Sequence, residues 1–189
     1  SQGGAAWTNT EVIWETDQQY YRTAGVHFGC KIVFDGEGHV FFSVGERGTN
    51  MGVQESVMNP YGKIMRLNLD GTIPDDNPIP GSATWTTGHR NPQGLAFDLE
   101  GNLWGTEHGP RGGDEVNLIV PTSNYGWPVV ASSINYSGSP FRVPFNGPNQ
   151  NFTMPAFRWL PSIGASGLDI ANGPAFPGWE GDLLAGGLA

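Results

Sequence analysis

Residues 32–48 read IVFDGEGHVFFSVGERG, and residues 95–113 read LAFDLEGNLWGTEHGPRGG. The two stretches align so that the Phe-Asp pair at 34–35 matches the Phe-Asp pair at 97–98. Each stretch contains an apolar run, an acidic turn with glycine, a second apolar run and a polar glycine-rich loop. This order is typical of a β-hairpin followed by a loop. A hairpin that recurs together with its loop predicts a repeated β-sheet unit.

Two further stretches extend the repeat. Residues 168–189 contain a weaker third copy, in which Gly181-Asp182-Leu183-Leu184 takes the place of Gly101-Asn102-Leu103-Trp104. Residues 63–74, KIMRLNLDGTIP, alternate like a strand that ends in an Asp-Gly turn, and we expect this strand to close the first unit. Antiparallel sheets repeated at this long period favour an all-β chain that forms part of a β-propeller. The alternative is a β-sandwich, whose strands usually recur every 8 to 12 residues or so without repeating a whole hairpin.

The composition of the chain agrees with short strands and turns. Its 189 residues include 29 glycines and 15 prolines, and 12% are aromatic. The sequence shows no sustained helical apolar stripe. About three repeats do not close a ring, and the chain stops on Leu188-Ala189 where a strand is expected. Residues 1–189 are therefore expected to be a partial propeller domain, truncated at both ends.

Charge and cysteine content exclude several classes of protein. The net charge is −9, from 18 acidic and 9 basic residues, so the attraction to phosphate that drives nucleic-acid binding is missing. The single cysteine, Cys30, excludes an internal disulfide framework and a paired-cysteine zinc site. The chain has no apolar run of about 18 residues, so we expect no membrane span. It also shows no export signal of its own.

The polar loops after the hairpins are the candidate site. In a propeller these loops gather at one end of the central channel, so residues far apart in sequence converge. The residues expected there are His27, Glu46, Arg47, Arg90, Asn91, Glu107, His108, Gly109 and Pro110.

Two of these positions suggest acid–base and electrostatic chemistry. His27 stands between Val26 and Phe28, an apolar setting that keeps an imidazole neutral and able to accept a proton. Arg90 and Asn91 either tie down a loop by binding its carbonyls or stabilise a developing negative charge. His39, beside a turn glycine, is expected to be an ordinary surface histidine.

The stretch GPRGGDEVN, residues 109–117, suggests a metal. Gly109 and Pro110 present backbone carbonyls in a tight turn, and Asp114 and Glu115 add the hard oxygen ligands that calcium accepts. The alternative is a turn with solvated acids. Zinc is disfavoured because no histidine pair has helical spacing and no HExxH occurs. Hydrolase, kinase and nicotinamide chemistry lose support because GxSxG, phosphate-loop and GxGxxG motifs are missing.

Five motifs in order carry a family resemblance: HFGCKIVFDGEGHVFFSVGERG, GKIMRLNLDGTIPDDNP, GHRNPQGLAFD, EHGPRGGDEVNLI and SNYGWP. Together they resemble the soluble aldose sugar dehydrogenases that depend on pyrroloquinoline quinone (PQQ), in the glucose/sorbosone dehydrogenase family. The resemblance runs over nearly the whole chain. It implies a six-bladed β-propeller, of which about three blades are present.

The resemblance also implies roles for individual residues. His27 would be the general base that removes the sugar hydroxyl proton, and Arg90 with Asn91 would contact the quinone. The carbonyls of Gly109 and Pro110 would hold the calcium that polarises the quinone.

Four further residues receive roles from the same resemblance. Glu115 and the Tyr125 carbonyl would belong to a second, structural calcium site. Tyr136 and Ser162 would be additional contacts to the quinone. Arginine and lysine contacts contributed by later blades lie outside this chain, so the fragment alone is expected to bind PQQ poorly and to be inactive.

The activity implied is oxidation of aldose sugars to lactones, in the periplasm or outside the cell, with electrons passed to a quinone or a dye-like acceptor. A homodimer is compatible with it. The alternative is a non-catalytic, calcium-stabilised propeller that binds a protein or a glycan. Met51 and Gly52 replace a glutamine and a leucine of the glucose-specific branch, and Leu160 replaces its tryptophan, so the preferred sugar stays open.

Overall fold

A computed structural model of the protein describes residues 9–49, 53, 56–141 and 151–188. A short 3-10 helix, Gln18–Tyr20, precedes the strands and is capped by Asp17, whose carboxylate accepts a hydrogen bond from the Gln19 N–H at 3.1 Å. The strands are β1 Gly29–Phe34, β2 His39–Val44, β3 Lys63–Asn68, β4 Thr84–Thr86, β5 Pro92–Phe97, β6 Leu103–Glu107, β7 Asp114–Leu118, β8 Phe157–Trp159, β9 Leu168–Ile170 and β10 Leu183–Ala185.

The strands form two four-stranded antiparallel sheets and one hairpin. Strands β1 to β4 make the first sheet in sequence order, and β5 to β8 make the second in the same order. Strands β9 and β10 pair as the third hairpin. The three predicted repeats are therefore present as β1–β2, β5–β6 and β9–β10.

One strand assignment from the sequence was wrong. The alternating stretch KIMRLN is β3, the third strand of the first sheet, and the closing strand is β4, Thr84–Thr86. A strand of three residues is too short to show the alternation by which strands are recognised, so the sequence pattern stops one strand early.

The repeated Phe-Asp pair builds the turn of each hairpin. The Asp35 Oδ1 accepts hydrogen bonds from the backbone N–H groups two and four residues further on, at 2.8 and 3.0 Å. The Asp98 Oδ1 makes the same two bonds at 2.9 and 2.8 Å. An aspartate that bonds the following backbone in this way stabilises a tight turn without help from the rest of the fold. The sequence repeat is thus a repeat of turn chemistry.

The sheets pack face to face around their first strands. β1 contacts β5, and β5 contacts β9, so the innermost strands follow one another around a common axis. The core between the first two sheets is apolar and contains Phe41, Ile64, Leu95, Leu103, Ile119 and Tyr125. Complete burial of one such large side chain stabilises a fold by about 1.5 to 3 kcal/mol. The arrangement is that of consecutive propeller blades, as the repeat predicts.

This topology brings five loops to one edge. Because β1 and β2 are antiparallel, the residues before β1 lie beside the residues after β2, and the same holds for β5 with β6. The site edge, as we call it, consists of residues 24–28, 45–49, 87–91, 108–113 and 160–167. The predicted site residues in these loops are therefore neighbours.

His39 lies at the opposite edge and is not an ordinary surface histidine. Its Nδ1 is 2.6 Å from Asp35 Oδ2, and its Nε2 is 3.0 Å from Nη2 of Arg66. Arg66 in turn forms an ion pair with Asp76 at 2.8 Å. The prediction failed because the glycine turn folds His39 back against β3, where its ring is partly buried.

Within the described part of the chain, no helix has the length and apolar character needed to cross a bilayer.

Candidate active site

His27 is held at the site edge by a carboxylate. Its Nδ1 contacts Oε1 of Glu46, whose side chain is buried, while 23% of the His27 side chain stays exposed. The backbone of His27 has φ = 49°, the left-handed region that a side chain occupies at a cost and that clusters at functional sites. The setting is therefore not the purely apolar one inferred from the sequence. Since Nδ1 is engaged by Glu46, Nε2 is the ring nitrogen available to a substrate.

Arg47 braces the segment that carries His27. Its Nη1 donates to the carbonyl of Val26 at 2.8 Å, and its guanidinium lies 3.8 Å from the centre of the Phe28 ring. The two contacts flank His27 in sequence. Arg47 was predicted to line the pocket, and in the structure it orders the backbone on either side of the histidine instead.

Hydrogen bonds join the first blade to Arg90 and Asn91 in the second. The Glu46 N–H donates to the Arg90 carbonyl at 2.8 Å, and the Gly29 N–H donates to Asn91 Oδ1 at 3.2 Å. Glu46 thus contacts His27 with its side chain and Arg90 with its backbone. His27 and Arg90 are far apart in sequence, and Glu46 links them by contacting both.

The hydrogen-bond partners of the buried Arg90 guanidinium are neutral groups. Nη1 donates to the His108 carbonyl and Nη2 to the Tyr136 hydroxyl, both at 3.2 Å, and the guanidinium carbon lies 5.3 Å from the centre of the Trp127 ring. Arg90 is 5% exposed. Among the residues described, no carboxylate forms an ion pair with it. A buried positive charge without a carboxylate partner suits an anionic or electron-rich ligand.

A cavity of about 20 Å³ lies beside Arg90, large enough for one ion or one water molecule. Seven predicted site residues line it: Arg90, Glu107, His108, Gly109, Pro110, Glu115 and Tyr125. Trp127 is among the other residues that line it. The two sets of calcium ligands implied by the resemblance therefore face the same small space.

The two carboxylates of this cavity, Glu107 and Glu115, favour a cation beside them. Burial, together with the charge of Glu107, raises the pKa of Glu115 to about 8. Asn117 Nδ2 offers Glu115 Oε2 a hydrogen bond at 3.5 Å, which is too long to compensate strongly. A divalent cation would offset the charge of both carboxylates, and oxygen donors of this kind suit calcium. The donor set is thus compatible with calcium.

Asp114, which the sequence suggested as a ligand, shapes the turn. Its Oδ1 accepts hydrogen bonds from the Gly109 N–H at 3.0 Å and from Ser162 Oγ at 2.8 Å, and its Oδ2 accepts from the Ala165 N–H at 2.8 Å. Burial opposes ionisation, but these hydrogen bonds hold the pKa of Asp114 below its ordinary value. Both carboxylate oxygens are therefore committed to the protein. Ser162 reaches the Gly109 turn through Asp114 and does not line the cavity.

Glu107 is a hub that the sequence analysis placed in the site without giving it a role. Its Oε1 accepts from His89 Nδ1 at 3.0 Å and from Asn117 Nδ2 at 3.1 Å, and its Oε2 accepts from the Arg90 N–H at 2.7 Å. Glu107 is 5% exposed. The signal was present in the sequence, because Glu107 is the last residue of the second strand of its hairpin and Glu46 comes shortly after the second strand of the first.

His89 connects this hub to Tyr125. Its Nε2 is 2.9 Å from Thr86 Oγ1, and its ring stacks on the Tyr125 ring with 4.6 Å between the centres. The backbone strengthens the link, since the Tyr125 N–H donates to the Thr87 carbonyl at 2.9 Å. The segment that carries Arg90 and the segment that carries Tyr125 therefore form one rigid support.

Three positions were linked to sugar preference in the sequence, and none of them is described at the cavity. Met51 and Gly52 lie outside the described residues. Leu160 is 65% exposed at the end of β8, and it does not line the cavity.

A family model described as Glucose / Sorbosone dehydrogenase matches residues 1–189. The chain belongs to the glucose/sorbosone dehydrogenase family. Among its relatives, the aldose sugar dehydrogenase YliI of Escherichia coli is 40% identical over 178 residues, which are 88% of this chain and 46% of that protein. The chain spans about half the length of the curated relatives it matches.

Solved structures of the family share the fold. A crystal structure of a glucose dehydrogenase matches with a TM-score of 0.85 at 40% identity, covering 95% of this chain and 53% of that one. The PQQ-bound aldose sugar dehydrogenase of Streptomyces coelicolor matches with a TM-score of 0.65 at 30% identity, covering 85% and 49%. The prediction of an all-β chain forming part of a β-propeller is confirmed.

Proposed function

We propose that the whole protein is a sugar dehydrogenase that uses PQQ and calcium to oxidise aldoses to lactones. The observation that carries the proposal is the meeting of His27, Arg90 and the Gly109–Pro110 turn at one edge of adjacent blades. Family membership supports it, as do the names of two relatives: a sugar dehydrogenase of E. coli and a PQQ-bound enzyme of S. coelicolor.

The residues that would hold the cofactor surround Arg90. Its guanidinium would bind an oxygen of the quinone, and Asn91 and Tyr136 would bind beside it. Ser162 would contribute indirectly, because its hydroxyl is bonded to Asp114 under the Gly109 turn.

Calcium would be held by backbone and carboxylate oxygens in and beside the cavity. The cavity has room for one ion, the structural one, which Glu115 and the Tyr125 carbonyl would hold. The carbonyls of Gly109 and Pro110 would hold the ion near the quinone outside this cavity. The raised pKa of Glu115 supports this assignment, because an uncompensated buried carboxylate gains most from a cation.

The chemistry divides between the bound groups and the chain. When bound, PQQ supplies an acceptor for the hydride of the sugar carbon, and calcium supplies a Lewis acid. His27 Nε2 takes the proton of the hydroxyl on that carbon, so that a C=O bond forms as hydride and proton leave. Glu46 keeps the imidazole oriented and stabilises its protonated form through Nδ1. The Arg90 guanidinium would stabilise negative charge on the quinone oxygen that it binds.

Electrons would then pass to a quinone or a dye-like acceptor, in the periplasm or outside the cell. Both statements follow from the family resemblance. A homodimer likewise stays a prediction.

The test is His27→Ala in the whole protein, supplied with PQQ, calcium, an aldose and a reducible dye. We expect turnover to fall by about 10² to 10⁴, the usual contribution of a general base, while PQQ affinity is kept. His39→Ala is the matched control, since His39 lies at the opposite edge. Unchanged turnover in His27→Ala would overturn the assignment of the base. If the wild-type protein binds calcium but does not bind PQQ and does not turn over sugar, the non-catalytic propeller would be favoured.

A further inference from the structure

We propose that Glu107 is the positioning residue for Arg90, fixing its guanidinium against the His108 carbonyl, at the start of the Gly109–Pro110 turn. The inference rests on the proposed function for what Arg90 binds. It does not rest on the proposed function for the hydrogen bond between Glu107 and the Arg90 backbone, which the structure shows directly.

The first step is the backbone bond. Glu107 Oε2 accepts the Arg90 N–H at 2.7 Å, the shortest of the three hydrogen bonds to this carboxylate. On its other side the Arg90 carbonyl accepts from the Glu46 N–H at 2.8 Å. The peptide groups that flank the Arg90 side chain are thus pinned from two blades, and Glu107 is the charged partner of the pair.

The second step is the link to the turn. Glu107 directly precedes His108, whose carbonyl accepts from Arg90 Nη1 at 3.2 Å and whose N–H donates to the Asn91 carbonyl at 3.3 Å. One residue therefore fixes both the backbone of Arg90 and the start of the segment that its guanidinium contacts. Glu107 is therefore linked to Arg90 at the backbone, through its carboxylate, and at the guanidinium, through the next residue in the chain.

The third step is how the carboxylate itself is held. His89 Nδ1 and Asn117 Nδ2 both approach Oε1, so both oxygens of Glu107 are acceptors. His89 is 1% exposed and is wedged between Thr86 and Tyr125. A buried carboxylate supplied with three donors is rigid, because losing any one leaves a buried group unsatisfied.

The pair of His89 and Glu107 repeats the pair of His27 and Glu46 in the first blade, but its histidine is less exposed. His27 and Glu46 join the start of β1 to the end of β2, and His89 and Glu107 join the start of β5 to the end of β6. The His27 side chain is partly exposed and can reach a substrate, whereas His89 is sealed. The second pair is consequently suited to support and not to proton transfer.

The contact is tested first in the apo whole protein, by amide hydrogen exchange of the segment around residues 88–94. Glu107→Gln removes the charge and replaces one acceptor with an amide donor at nearly the same size. We expect exchange at Arg90 to accelerate by roughly 10- to 100-fold, the value of a hydrogen bond to a charged group. Glu100→Gln, an exposed change in the turn of the same hairpin, is the matched control and leaves the segment unchanged. Equal exchange in Glu107→Gln and wild type would overturn the proposal.

The second arm asks whether Glu107 acts through Arg90, by titrating PQQ in a double-mutant cycle with Arg90→Lys. In the wild-type background Glu107→Gln should weaken PQQ binding by roughly 10- to 100-fold. The Arg90→Lys background keeps the backbone N–H that Glu107 binds but lacks the guanidinium, so the same change should cost less than about twofold in PQQ affinity. Equal losses in both backgrounds contradict the proposal. No PQQ binding by the wild type would instead contradict the proposed function, and the exchange arm would still decide the role of Glu107.

A second variant guards against a Glu107→Gln protein that does not fold. Asn117→Ala removes one donor from Oε1 and leaves the bond to Arg90 in place. Like Glu107→Gln, it should accelerate amide exchange at Arg90 and weaken PQQ binding, each by a smaller factor. No change in either measurement would count against the hub.

Discussion

The Nδ1 of His89 lies 3.0 Å from Oε1 of Glu107, and this pair repeats, one blade later, the contact between His27 and Glu46. Both pairs join the start of the first strand of a blade to the end of its second strand. The first is partly open to solvent and the second is sealed. A single structural unit thus supplies a candidate base in one blade and a rigid support in the next.

Glu46→Gln should lower turnover with aldose and dye by about 10- to 100-fold, the usual cost of losing a group that orients and stabilises a reacting side chain. The amide cannot stabilise the imidazolium that forms when His27 accepts a proton. PQQ affinity should hold, because the Glu46 N–H still donates to the Arg90 carbonyl. Steady-state kinetics and a PQQ titration measure the two effects. Glu37→Gln, in the exposed turn of the same hairpin, is the control, and equal turnover in the two variants would exclude the role given to Glu46.

Much of the fold was predictable because the turn chemistry is written locally. Asp35 and Asp98 each bond backbone groups within four residues, so a short window of sequence contains the whole interaction. The strands β4 and β8 were not predictable in the same way. Each has three residues and is defined by pairing with a neighbour, which no local window contains.

The site was predictable by residue type but not by role. Asp114 and Glu115 are adjacent acids in the sequence, yet the oxygens of Asp114 are taken by Gly109, Ser162 and Ala165 while Glu115 faces the cavity. The difference depends on a loop some fifty positions away. The prediction that His39 is an ordinary surface histidine was wrong for a similar reason, since its partner Arg66 comes from another strand.

Glu115 predicts how calcium removal changes stability with pH. Its pKa in the calcium-free fold is raised to about 8 from an ordinary 4.5, so the folded chain binds more protons than the unfolded chain between these values. The free energy of unfolding without calcium should fall as pH rises from 5 to 8, by at most about 1.4 kcal/mol per pH unit for this one group. Urea unfolding in EDTA measures it, and Glu115→Gln should flatten the trend. Added calcium should stabilise the wild type more at pH 8 than at pH 5. Parallel curves for variant and wild type would refute the prediction.

Lys63 predicts the opposite trend at higher pH. It is fully buried at the start of β3, where Nζ donates to the carbonyls of Val53 and Tyr61 at 2.8 and 2.9 Å, and burial lowers its pKa to about 7. Between this value and the ordinary 10.5 the unfolded chain binds more protons. The contribution of Lys63 to the free energy of unfolding should therefore rise from pH 7 to 9, by at most about 1.4 kcal/mol per pH unit.

Lys63→Met isolates that contribution. The variant loses two hydrogen bonds to backbone carbonyls and the titrating amine, so it should be less stable at pH 9 and should lack the rise. Urea unfolding at pH 7, 8 and 9 gives the difference from wild type. A difference that stays constant over this range would show that Lys63 does not titrate there.

Gly94 lies at a close approach of the second and third blades. A Cβ built on Gly94 would lie 2.7 Å from Leu168 Cβ and 2.4 Å from Thr106 Oγ1, so Gly94→Ala forces β5 and β9 apart. The displaced Thr106 hydroxyl also donates to the Ser166 carbonyl at 2.6 Å, in the loop before β9. We expect a loss of about 1 to 3 kcal/mol in the free energy of unfolding, the usual cost of overpacking. Gly167→Ala is the control, because a Cβ there meets no atom within 4 Å. Urea unfolding of both variants measures the effect, and equal stability would show that the blades can separate at no cost.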